Sequence, residues 1–116
     1  MMTQIVLTGG KDHGYKKSTK TSLMDVLTGK WLQKSSPDLN IARYGHSSLG
    51  LQDRTFVACG DGDNGWQNLN SVEMLRLGAE SWELINIPEF TPRRNPVLCQ
   101  LDQNHICIMG GKDFDY

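Results

Sequence analysis

The pattern Gly-Gly-Lys-Asp-x-x-Tyr occurs twice in this chain, from Gly9 to Tyr15 and again from Gly110 to Tyr116. Each copy follows a short apolar run, Ile5-Val6-Leu7 and Ile106-Cys107-Ile108-Met109. A third run of this kind, Phe56-Val57-Ala58-Cys59, lies midway between them and ends at Gly60-Asp61. A unit that recurs at about 50 residues constrains the fold more than any other feature. It points to stacked repeats, each burying its apolar faces against its neighbours.

The repeat extends beyond the glycines. Trp31 follows Gly10 by 21 residues, and Trp82 follows Asp61 by 21 residues. Before each tryptophan, two apolar segments flank a turn, Thr28-Gly29-Lys30 in one copy and Gly78-Ala79-Glu80 in the other, which is hairpin chemistry. A connector bearing proline follows each tryptophan, with Pro37 in the first and Pro88 and Pro92 in the second. Twelve residues after each tryptophan stands an arginine, Arg43 and Arg94. A run of small or apolar residues then leads into a polar turn, Gln52-Asp53-Arg54 or Asp102-Gln103-Asn104, and the next apolar run. Each unit thus offers four short strands: a (small residues), b (ending at the glycines), c (before the hairpin turn) and d (starting at tryptophan). Short strands separated by turn signals argue for an all-β fold. Residues 20–27 carry a Met and Leu face that one helical turn could explain. Their counterpart at 71–77 reads as a strand, so a strand is expected there too. Nine strands result, with b buried on both faces because it is apolar throughout.

This order of features resembles the kelch repeat. Arg43, His46, Val57, Gly60, Val72, Glu73 and Trp82 carry the resemblance best, with Gly60 followed by Asp61 where the family has a second glycine. The resemblance implies four-stranded antiparallel blades of a β-propeller, arrayed around an axis. Residues 1–42 would form a partial repeat (b to d), 43–93 a complete one, and 94–116 a partial one (a and b). That is about two and a quarter blades, an incomplete ring. A propeller implies roughly six or seven, so the chain is expected to be part of a larger protein or assembly. Structural repeat positions would be Gly9, Gly10, Trp31, Arg43, Gly60, Trp82, Arg94, Gly110 and Gly111. The tryptophans are suited to filling the wedge between blades.

Composition narrows the function classes. The chain has 12 basic and 13 acidic side chains, so no bulk attraction to nucleic acid or membrane arises. Charge is uneven, with seven basic and three acidic residues in 1–43 against five and ten in 44–116. No apolar run approaches a membrane span. The three cysteines, Cys59, Cys99 and Cys107, lie in apolar runs and read as small buried hydrophobes. With no secretory signal in view, a reduced compartment is expected. That is the cytoplasm, with cytoskeletal, ciliary or nuclear settings also compatible.

No catalytic, cofactor or metal site is expected. Asp61-Gly62-Asp63-Asn64-Gly65 begins like a calcium loop, but Gly65 and Val72 stand where ligands belong. Cys99, His105 and Cys107 supply only three metal ligands in an unmatched pattern. His46, beside Ser47 and Ser48, forms no recognisable nucleophile and base pair. The glycine pairs close strands and precede no helix, so they are not phosphate loops.

Binding is expected at the long b–c and d–a loops, which emerge at one end of the sheets. Their candidate residues are Tyr15, Lys16, Lys17, Asp63, Asn64, Trp66, Tyr44 and Phe90, with the aromatic groups as protein anchors. The expected function is a non-catalytic protein–protein interaction or scaffold module whose partners are other proteins, including propeller segments that complete the ring. Two alternatives come from the kelch resemblance: a substrate-recognition segment of a ubiquitin-ligase adaptor, and a fragment of a propeller enzyme acting on sugars. The small basic cluster at Lys16, Lys17 and Lys20 is too unpatterned for nucleic acid to be expected.

Overall fold

A computed structural model describes residues 4–11, 13–32, 36–62 and 68–112. Among them the chain is all-β, without a helix, and so without one long and apolar enough to cross a membrane. Eight antiparallel strands form three sheets. The first pairs β1 (Gln4–Thr8) with β2 (Thr21–Asp25). The second is a four-stranded meander of β3 (Ser47–Gly50), β4 (Arg54–Ala58), β5 (Ser71–Arg76) and β6 (Glu83–Asn86). The third pairs β7 (Val97–Asp102) with β8 (His105–Met109).

The segment 20–27 holds strand β2, as its counterpart at β5 suggests. The ninth expected strand is absent from the described residues. Trp31 makes only a single bridge with Met24, reinforced by the Leu32 amide donating to the Leu23 carbonyl at 2.8 Å.

Alternation along the second sheet aims its side chains at two neighbours. Phe56, Ala58, Val72 and Met74 pack toward the third sheet, against Leu98, Ile106 and Ile108. Val57 faces the other way and meets Leu39, Leu75 and Trp82. Trp82 closes the seam to the first sheet: its indole N–H reaches the Pro37 carbonyl at 3.0 Å and the Thr21 hydroxyl at 3.3 Å.

Two burial expectations fail for one reason. Of the three b strands, only β4 is enclosed on both faces; Ile5 and Leu7 of β1 are exposed, as are Val97 and Met109 of the third sheet. Trp82 is 3% exposed whereas Trp31 is 50% exposed, so Trp31 fills no wedge. A sheet buries both faces only between two neighbours. Among the described residues, the outer faces of the first and third sheets have none.

The backbone also corrects the repeat register. Left-handed pairs occur at Gly9 and Gly10 (φ 73° and 89°), at Cys59 and Gly60 (66° and 91°), and at Gly110 and Gly111 (65° and 91°). Cys59 therefore stands in for the first glycine and Gly60 for the second. Gly60 is required there, because a Cβ on it would lie 2.7 Å from the Tyr44 carbonyl oxygen and 2.8 Å from the His46 amide nitrogen.

Candidate functional site

The loops gather at two ends of the sheets. At one end lie the short a–b and c–d turns, tied together where the Leu77 amide donates to the Asp53 carbonyl and Arg54 Nη2 donates to the Gln103 carbonyl. At the other end lie the b–c and d–a connections, where isolated bridges extend the sheets and, at Ser18–Arg43 and Leu69–Arg93, cross from one sheet to the next. Ser18 pairs with Arg43, Tyr44 with Asp61, Asp61 with Asn68, Leu69 with Arg93, and Arg94 with Lys112.

These bridges place Arg93, rather than Arg94, in the position of Arg43. The Gly10 amide donates to the Arg43 carbonyl and the Gly60 amide to the Arg93 carbonyl, each at 2.8 Å. Their side chains match as well: Arg43 Nη1 donates to the Cys59 carbonyl at 3.1 Å, and Arg93 Nη1 to the equivalent Gly110 carbonyl at 3.0 Å. The connector before Arg93 is one residue shorter than the one before Arg43, a deletion that counting from tryptophan cannot detect. Arg94 instead matches Tyr44, and its guanidinium lies 3.7 Å from the Asp61 carboxylate.

Arg43 and Glu73 are heavily committed side chains of the junction. Arg43 is fully buried and donates to the Cys59 and Ser71 carbonyls, the Ser71 hydroxyl and the Glu73 carboxylate, the last at 2.9 Å. Glu73, also fully buried, accepts from the Asn40 and Ile41 amides at 2.6 and 3.1 Å and from Asn40 Nδ2. Burial pushes the Arg43 pKa down, and the Glu73 carboxylate pulls it back up. A buried charge pair persists when further hydrogen bonds support both partners, and here those bonds stitch the connector at 40–43 onto β5, although Arg43 Nε is buried without a partner.

His46 occupies the seam between the first two sheets, its Nε2–H donating to the Thr8 carbonyl at 3.0 Å. Its Nδ1 is buried without a partner. Burial lowers its pKa. Burial likewise raises the Cys59 pKa, keeping that thiol protonated.

The predicted binding residues fall into separate groups. Tyr15 is exposed at the tip of the first b–c loop with Lys16 beside it. Lys17 reaches across to the Gly62 carbonyl at 2.5 Å, joining two b–c loops. Tyr44 is partly exposed, with the Lys11 ammonium 4.0 Å from its ring centroid. Phe90 lies under the Arg93 guanidinium at 4.4 Å, and its carbonyl accepts from Asn70 Nδ2. Asp63, Asn64 and Trp66 lie outside the described residues. The structure therefore assembles Lys11, Tyr44, Asp61 and Arg94 into one row, with Phe90, Arg93 and Asn70 as a second cluster. Lys11, Asp61 and Lys112 were missed by the sequence reading, although all three directly follow a left-handed pair.

At the opposite end, between the first and second sheets, is a hollow of about 590 Å³. Val6, Leu23, Leu51 and Leu75 line it, with Arg54 and Glu80 at its polar margin. Among the described residues, no three His, Cys, Asp or Glu side chains converge as metal ligands would.

No protein-family model matches the chain, and no curated protein matches it either.

Proposed function

We propose that this chain is a segment of a kelch-type β-propeller and serves as a non-catalytic scaffold for protein partners. One observation carries the reading. The junction between the first and second sheets recurs between the second and third through equivalent atoms: Gly10 N–H to Arg43 carbonyl, then Gly60 N–H to Arg93 carbonyl. The arginine side chains repeat it, Arg43 on the Cys59 carbonyl and Arg93 on the Gly110 carbonyl. A contact that repeats from unit to unit is what a propagating array of repeats requires. Units 1–42, 43–92 and 93–116 are its successive members in this reading, the last boundary moved by one residue to start at Arg93.

The partner face is the end that carries the b–c and d–a loops. It presents Tyr15, Tyr44 and the half-buried Phe90, which also packs on the core, aromatic groups with low side-chain entropy that suit protein recognition. Lys11 and Arg93 lie against two of these rings. Such stacking holds a ring in one orientation at a gain of about 0.5–1 kcal/mol at exposed sites.

Native mass spectrometry of the purified chain, alone and with co-purifying proteins, tests the proposal when repeated on two sets of variants. Tyr15→Ala, Tyr44→Ala and Phe90→Ala should each weaken a stoichiometric complex by tenfold or more. Thr28→Ala and Leu77→Ala, at the opposite end, should leave it intact. A monodisperse monomer with no complex, or equal loss from both ends, refutes the reading.

A further inference from the structure

Cys99 of β7 and Cys107 of β8 are directly opposite each other in the antiparallel ladder. Opposite residues project to the same face, so the two thiols are neighbours. Directly opposite Cα atoms lie about 4.5–5.5 Å apart, inside the range that a disulfide bridges. We propose that Cys99 and Cys107 are a redox-modification site, closing to a reversible cross-strand disulfide when the chain meets a mild oxidant such as glutathione disulfide.

Three observations support the pair over any other use of the cysteines. Both are reduced and only partly buried, whereas Cys59 is fully enclosed in the core. They lie on the face of the third sheet turned away from the second, since the alternate residues Leu98, Ile106 and Ile108 are the ones packed against it. The neighbours two positions along on the cysteine face, Val97 and Met109, are 57% and 45% exposed, so that face is open to a small reagent. The hairpin also has room to adjust, because a register shift between Gln100 and Asp102 already breaks its regularity.

The chemistry balances as two exchanges. The thiolate of one cysteine attacks a sulfur of glutathione disulfide, forming a mixed disulfide and expelling one glutathione thiolate. The second cysteine thiolate attacks the protein-side sulfur and expels the other. The two protons lost by the protein thiols end on the two glutathiones; the protein is oxidised by two electrons and the disulfide reagent is reduced by two. Cβ atoms of opposite residues are about 4.5–5.5 Å apart, at or beyond the reach of a relaxed bond. The disulfide is therefore readily reduced again, the behaviour of labile rather than structural bridges. This modification does not follow from the scaffold reading, and a further unit packed on that face would shield both thiols.

The test uses the whole folded chain, equilibrated with glutathione disulfide, quenched in acid, unfolded and alkylated. Trypsin releases residues 95–112 as one peptide that contains both cysteines. The expected result is a peptide about 2 Da lighter than the dithiol, without alkyl label, that regains two labels after reduction with dithiothreitol. Cleavage before Asp102 should leave its halves joined. Cys59 should be alkylated in the same sample. Cys99→Ser should instead carry a single glutathione on Cys107. Separate glutathionylation of Cys99 and Cys107 in the wild type overturns the proposal, as does a disulfide between chains, a bond to Cys59, or both thiols remaining fully alkylated.

Discussion

The Arg43 guanidinium and the Glu73 carboxylate lie 2.9 Å apart, both with no solvent exposure, and join a connector to the middle of the second sheet. Removing either charge strands the other. Arg43→Ala or Glu73→Ala should therefore cost about 3–5 kcal/mol, since breaking a buried pair leaves an uncompensated ion. Arg43→Lys should recover little of this, because an ammonium cannot serve the four acceptors that the planar fork reaches. Urea unfolding read by tryptophan fluorescence measures the loss, and unchanged midpoints would refute the role.

Two glycines with the same backbone conformation should respond differently to alanine. Gly10 and Gly60 have φ of 89° and 91°, but only Gly60 has backbone atoms in the space a Cβ would occupy; nothing lies within 4 Å of one at Gly10. Gly10→Ala should cost only the backbone strain, about 1–3 kcal/mol. Gly60→Ala should cost more, because the junction at Tyr44 and His46 must open as well. Gly111→Ala should resemble Gly60→Ala, since its Cβ would lie 2.7 Å from the Arg94 carbonyl oxygen. Thermal unfolding of the three variants gives the order, and an equal effect at all three would contradict the close approach.

The tryptophans, equivalent in sequence, should be inequivalent in stability. Trp82→Ala removes a side chain enclosed by Leu39, Val57 and Leu75 and should cost about 3–5 kcal/mol. Trp31→Ala should change stability by about 0.5 kcal/mol or less, as for most exposed positions. Quenching by acrylamide should report the same contrast in two single-tryptophan chains with the other two tryptophans replaced by Phe, Trp31 being accessible and Trp82 protected.

Acid should loosen the seam between the first two sheets at His46. Its pKa in the fold lies below the ordinary value of 6.5, chiefly through burial, with the nearby Arg43 charge adding to the shift and the Thr8 carbonyl and Glu73 opposing it. The unfolded chain therefore binds the proton more readily. The stability that His46 contributes is complete above about pH 6.5 and declines as pH falls from there toward the folded-state pKa. A second loss, below about pH 4, belongs to Asp102, whose pKa is lowered first by the Asn104 amide and then by His105. His46→Gln should flatten the unfolding midpoint just below about pH 6.5 while leaving the lower step in place. A variant with the parent slope in that range would contradict the assignment.

The all-β class and the strand order within each unit could be read from the sequence. Alternation, turn residues and the repeat spacing are local signals, and β2 and β5 report the same strand because the same pattern recurs in both. The glycine pair was equally legible wherever both members are glycine. Three features were not. Cys59 adopts a left-handed conformation that no local rule assigns to cysteine, and only its backbone reveals it as the missing glycine. The shift from Arg94 to Arg93 comes from a connector one residue shorter, and hydrogen bonds across the junction identify it because they are long-range. Whether an apolar strand or a tryptophan is buried depends on what packs beside it. Trp31 and Trp82 hold the same place in their units, yet among the described residues only Trp82 has a neighbouring sheet against it. The sequence determined how each unit folds back on itself, because strand and turn preferences act within a few residues. Tertiary structure decided register and burial, because both depend on contacts between residues far apart in the chain.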